Sequence, residues 1–240
     1  MNDGPRQPVR MLNLLGLIAA SAVWGASITG AHASTNSAAV VTLDEIGRAM
    51  RGVKTVFARF VQKRHLSLFQ EPLRSEGYLC CEKPGRIRWE ITQPYRSVLV
   101  SDGSGVAQFE WMDDQWKRLD LGLADAMQHI VNQIAGVIEG RYVSSRREFE
   151  VTIAPSDAGP VLTLVPQQEK VRKMMRAIEV HLAADLKGTR RVVLRESNAD
   201  FTEIRFEEQV TDAVFPSGTF DRAKPAPLES IRRALPPARP

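Results

Sequence analysis

Cysteine is nearly absent: the 240 residues hold two, and both are adjacent, at Cys80 and Cys81. Neighbouring strand residues point to opposite faces, so a disulfide between them is geometrically poor and the fold cannot depend on one. The histidines at 32, 65, 129 and 181 do not gather around this pair, which leaves no metal-ligand spacing. Both thiols read as small, semi-buried side chains. An excess of one charge is missing too. Lys and Arg number 32 against 28 Asp and Glu, for a net +4. That excess sits at the ends, with Arg6 and Arg10 against Asp3 in 1–33, and five basic against two acidic side chains in 221–240. The body between is near neutrality and carries no basic stripe, which excludes nucleic acid as a partner. No G-x-S-x-G, H-E-x-x-H, Walker A or G-x-G-x-x-G string occurs, and Gly103-Ser104-Gly105 lacks the spacing of a nucleophile elbow. The reading is of a protein without catalysis, cofactor or metal.

Long apolar runs are also lacking, with one exception at the start. Arg6 and Arg10 precede an uncharged apolar stretch from Met11 to about Ile28, and Ala31-His32-Ala33 follows. A positive region, an apolar core and an A-x-A site describe a secretory signal peptide over 1–33, cleaved after Ala33. A retained anchor is the alternative, since the run approaches a membrane-spanning length. Its richness in Ala, Ser and Gly favours cleavage, and no cysteine follows to accept a lipid. The mature protein is expected to be exported to the periplasm.

What fills the rest is alternation. Thr42 is a plausible N-cap for a helix with apolar residues at 43, 46, 50 and 53. From about 56 the period becomes two, and strand-like segments recur near 73–83, 86–93, 96–101, 105–111 and 115–119. Asp102-Gly103 marks a two-residue hairpin. Leu123, Met127, Ile130 and Ile134 continue to Val137 and Ile138 at helical spacing. Strand patterns resume near 148–153, 161–166, 176–184, 190–196 and 201–208. Glu203, Glu207 and Glu208 read as a solvated strand face. Residues 223–240 are rich in proline and read as a flexible tail. Some ten or eleven strands with short loops predict an antiparallel sheet that must curl, close or fold over. One amphipathic helix cannot cover both faces of such a sheet. A curved sheet with an apolar concave face and helices over its mouth satisfies the pattern, and so does a small barrel filled by its own side chains.

Three stretches resemble the LolA family of periplasmic lipoprotein carriers. They are Phe60-Val61-Gln62-Lys63; Gly77-Tyr78-Leu79 through Lys83-Pro84, Ile87-Arg88-Trp89 and Thr92-Gln93-Pro94; and Leu99-Val100-Ser101-Asp102-Gly103. Their order and spacing over 57–103 carry the likeness; beyond 104 it is one of pattern. The resemblance implies a mainly β fold, an unclosed antiparallel half-barrel of about eleven strands with helices as a lid over an apolar concave face. The carrier domain would then span 34–222. It also implies a function: taking acylated lipoproteins from an inner-membrane ABC exporter, shielding their acyl chains, and passing them to an outer-membrane receptor, as a monomer. Paralogues carrying another acyl lipid or polyene, and a lipid-sensing module of the same fold, are the alternatives. Alternation puts Ile87 and Trp89 on the concave face, joined by Phe60, Leu79 and Leu99, as the acyl cavity. Leu123, Met127, Ile130 and Ile134 would be the lid helix. Where the family usually has an arginine that latches the lid to backbone carbonyls, this chain has Lys83, a flexible ammonium in place of a planar fork. Arg86 and Arg88 could substitute for it but read first as solvated strand charges.

Overall fold

The computed structural model describes residues 41–119 and 149–235. The signal peptide over 1–33 and the lid helix with Leu123, Met127, Ile130 and Ile134 lie outside them.

The first element among the described residues is α1 (Leu43–Arg51). Thr42 and Glu45 cap it reciprocally: the Thr42 hydroxyl accepts from the Glu45 N–H, and the Glu45 carboxylate accepts from the Thr42 N–H. Two otherwise orphaned helical donors are satisfied in this way. Asp44 and Glu45 in the first turn and Arg48 and Arg51 in the last complement the helix dipole. Eleven strands follow: β1 (Thr55–His65), β2 (Leu73–Glu82), β3 (Arg86–Gln93), β4 (Ser97–Asp102), β5 (Val106–Met112), β6 (Gln115–Arg118), β7 (Phe149–Ala154), β8 (Val161–Pro166), β9 (Met175–Leu182), β10 (Thr189–Glu196) and β11 (Phe201–Thr211). Two short helices complete the set, α2 (Glu169–Arg172) before β9 and α3 (Leu228–Arg233) near the end.

All strands join one antiparallel sheet in the order β6-β5-β4-β3-β2-β1-β11-β10-β9-β8-β7. Two meanders are thus sewn together at the centre by β1 and β11, and among the described residues β6 and β7 are the edges. Flat, eleven strands at the usual spacing would be about 50 Å wide, and a nine-residue helix is only about 14 Å long. Yet a single apolar cluster runs from α1 through β1–β4 and β7–β11. Continuity across that span requires the sheet to curl around it, which makes an unclosed half-barrel with an apolar concave face. Leu43, Ile46 and Met50 of α1 lie in the same cluster and roof part of it.

The strand boundaries match the sequence periods to within a few residues. Four local expectations are corrected. The turn between β4 and β5 is not a two-residue hairpin, because Ser101 pairs with Val106 and the four residues 102–105 separate them. Arg88 is not solvated but fully buried, as is Glu90. Glu203 is buried as well, bonded by Arg191 and Arg205, while Glu207 and Glu208 are exposed as expected. Finally, the flexible tail expected from 223 is folded as far as Leu235: α3 buries Leu228 and Ile231 against the convex face.

Candidate functional site

The two faces of β1–β4 separate cleanly by alternation. Phe60, Leu79, Ile87, Trp89 and Leu99 all belong to the concave cluster, and each is buried. Register explains why they meet. Leu79 pairs with Trp89, Trp89 with Leu99, and Gly77 with Phe60, so their side chains share one face. The Phe60 and Trp89 rings stack with centroids 4.1 Å apart, and Phe206 meets Trp89 edge-on at 6.3 Å. Gly77 permits the stack. A Cβ there would stand 1.9 Å from the Glu90 carbonyl oxygen and 2.7 Å from Phe60 Cζ. Any other residue would push the ring off the strand it lies across.

Cys81 faces the concave cluster and Cys80 the convex one, both fully buried and unbridged. Burial pushes the Cys80 thiol up to about 12, with the nearby Arg88 guanidinium pulling only weakly the other way. It is therefore inert at neutral pH.

Lys83 lies just after β2, and its Nζ donates to the carbonyl of Met50, 2.6 Å away. That carbonyl belongs to the last turn of α1 and also accepts from the Val53 N–H at 3.2 Å, and a cation is favoured at this end of a helix. Arg86 and Arg88 make no such contact. Arg86 pairs with Glu82 and lies 4.6 Å from the Phe220 ring centroid. Arg88 is bonded to Glu90 by Nε at 3.0 Å and Nη2 at 2.6 Å. It also donates to the carbonyls of Thr219 and Ala226 at 3.3 and 2.7 Å. Both arginines serve the convex face, beneath the C-terminal segment.

Where α1 ends, the concave face opens into a narrow cleft. Met50, Val53, Val56, Ala58, Leu79 and Phe206 give it apolar walls, and Lys187, Gly188, Thr189 and Gln209 border it on the β10–β11 side. Of the five cavity residues expected from the sequence, Leu79 alone lines this opening; the others lie in the packed cluster beyond.

The concave face is thus an apolar trough partly roofed by α1, near whose end Lys83 donates to a backbone carbonyl. The family model "Outer membrane lipoprotein carrier protein LolA" matches residues 51–223. The chain belongs to the LolA family. An outer-membrane lipoprotein carrier protein of Dechloromonas aromatica is 23% identical over 190 residues, covering 79% of this chain and 86% of its own. That of Neisseria meningitidis is 26% identical over 133 residues, or 55% and 57% of the two chains. Among solved structures, a LolA superfamily protein from Nitrosomonas europaea aligns with a TM-score of 0.38 at 9% identity, over 77% of this chain and 99% of that one. LolA proteins bind and transport without catalysis, in keeping with the missing enzyme motifs. Outer-membrane lipoprotein carriers are periplasmic, and no helix among the described residues is long and apolar enough to cross a membrane.

Proposed function

We propose that this protein is exported to the periplasm and carries lipoprotein acyl chains in its concave face. It would receive them from an inner-membrane ABC exporter and release them to an outer-membrane receptor. The observation that carries this reading is the gathering of Phe60, Leu79, Ile87, Trp89 and Leu99 on one continuous apolar face beneath α1. Burying a methylene is worth about 0.8 kcal/mol, so a chain of roughly 16 carbons prefers shelter by about 12 kcal/mol. A carrier must offset most of that in transit and still let go. Smooth aliphatic walls with a movable cover do both.

Lys83 is the latch in this scheme. Its bond to Met50 holds the end of α1, and Met50 and Val53 form one wall of the cleft. A charge-assisted bond from a flexible lysine can break and re-form, which suits repeated opening. Lys83→Ala is expected to speed cargo release about fivefold, and Lys83→Arg to slow it. Stopped-flow transfer of a fluorescent acyl peptide measures both; unchanged rates would remove Lys83 from the latch role.

The decisive experiment is native mass spectrometry of the mature protein purified from periplasm without detergent, beside Trp89→Glu. A charge against the apolar wall should abolish bound acyl cargo while export is unaffected. Cargo retained at wild-type level in the variant would place the acyl chains elsewhere. A glycerolipid, fatty acid or polyene in the wild type would move the protein to carriers of other acyl lipids.

A further inference from the structure

Thr189 and Gln209 should not face the cleft at all. Along β10, Val192 and Leu194 are concave, so strict alternation sends Thr189 to the convex side. Along β11, Ile204 and Phe206 are concave, and alternation sends Gln209 outward with Arg205 and Glu207. Each strand breaks its period at the same level. The β9–β10 register slips between Thr189 and Arg191, so that Thr189 pairs with the concave Leu182. The β1–β11 register slips between Phe57 and Arg59, where Glu208 takes a φ of 49°. Bulges re-aim side chains, and they favour places where a site needs one. Here two independent ones turn polar groups into an apolar cleft.

Their surroundings point to a ligand. Thr189 is 6% exposed, and its hydroxyl has no hydrogen-bond partner among the described residues. A buried hydroxyl without a partner is costly, and it is tolerated where something arrives to meet it. The Gln209 amide lies across Gly188, whose Cβ, if present, would stand 2.9 Å from Oε1. Both side chains can donate: O–H from Thr189 and N–H from Gln209. Two donors above aliphatic walls match a carbonyl at the head of a hydrocarbon chain.

We propose that Thr189 and Gln209 form a carbonyl-binding subsite, which holds the ester junction of an acyl chain whose aliphatic part runs past Phe206, Ala58 and Leu79. This rests on the carrier reading and adds that the protein recognises the acyl linkage as well as the oil. A carrier that reads the linkage holds its cargo in register, with the polar end at the exposed Lys187 and the chain ends inside.

The test compares a synthetic tripalmitoylated cysteinyl peptide with an analogue in which the two glyceryl esters are ethers. The wild-type protein, Thr189→Val and Gln209→Leu are each measured by competition binding, with thermal unfolding alongside. The wild type is expected to prefer the ester ligand about tenfold, and each variant to bind both ligands within about twofold of one another. Thr189→Val keeps the side-chain shape and removes the orphaned hydroxyl, so its unfolding temperature should be equal or higher; a merely structural hydroxyl would lower it. Equal wild-type affinity for ester and ether overturns the subsite and leaves the carrier reading standing. Binding of neither ligand overturns the carrier reading, and the subsite with it.

Discussion

At the scale of single residues, Arg88 shows what alternation reveals and what it hides. Its neighbours Ile87 and Trp89 read correctly as concave from period two alone. That Arg88 and Glu90 lie opposite was legible as well, but not their burial, because what covers them comes from residues 219–226, far along the chain. Pattern within a strand reports a face and not what packs on that face. Burial raises the Glu90 carboxyl even against the pull of Arg88, so this pair is held in place by its environment at a cost. Arg88→Ala would leave the Glu90 charge and two carbonyls without their donor. It is expected to destabilise the fold by about 3–5 kcal/mol, whereas Arg88→Met with Glu90→Leu should recover most of that loss. Urea unfolding midpoints compare the two; equal loss in both would show that the bonds Arg88 makes, and not an orphaned Glu90 charge, carry the stability. Thr189 and Gln209 illustrate the opposite limit. No residue type announces a bulge there, and a single slipped register reverses every inference drawn from parity.

Among the elements, the C-terminal segment differs most from its composition. Prolines and charges suggested a solvated tail, but Phe220, Leu228 and Ile231 were available to fold it, and the apolar convex patch of Phe57, Val98, Val100 and Phe109 demanded a cover. Low hydrophobicity in sequence says little once a docking face exists. The segment is fastened at its start by Arg222, whose Nε donates to Asp102, the last residue of β4, at 2.6 Å. Burial alone would raise the Asp102 carboxyl. The N–H groups of Ser104 and Gly105, the Ser104 hydroxyl and the Arg222 guanidinium outweigh it and hold the group well below the usual range. A depressed carboxylate contributes stability above its unfolded value, 3.8, and loses it as pH falls through the folded one. Asp102→Asn should therefore cost about 1 kcal/mol at pH 7, modest because the pair is one-third exposed. The gap between variant and wild type should narrow as pH drops below 4. Thermal unfolding at pH 7, 5 and 3 follows it; a constant gap would detach the loop from the segment's stability.

For the whole molecule, the choice between a half-barrel that encloses a ligand and a barrel filled by its own side chains was open in the sequence, since both place the same residues inward. Among the described residues β6 and β7 are the edges of the sheet, which is not closed into a barrel. On the proposed carrier reading the protein is stabilised by its cargo: at a hundredfold excess over Kd, a ligand contributes about 2.7 kcal/mol, which for a domain of this size raises Tm by roughly 5–10 °C. Titration with the tripalmitoylated peptide during thermal unfolding checks this, and no shift at saturation would mean that the concave face is closed to ligands. The seam between β1 and β11 carries one more consequence, and it concerns time. Each meander pairs strands that follow one another in the chain, but the seam joins residues as distant as Lys54 and Asp212, which are 158 positions apart and directly bonded. Pairings of such separation close late, after local hairpins have formed. A chain threaded through a membrane from its N-terminus would deliver β1 first and its partner last. The trough would thus stay unmade throughout passage and assemble in a single step on the far side.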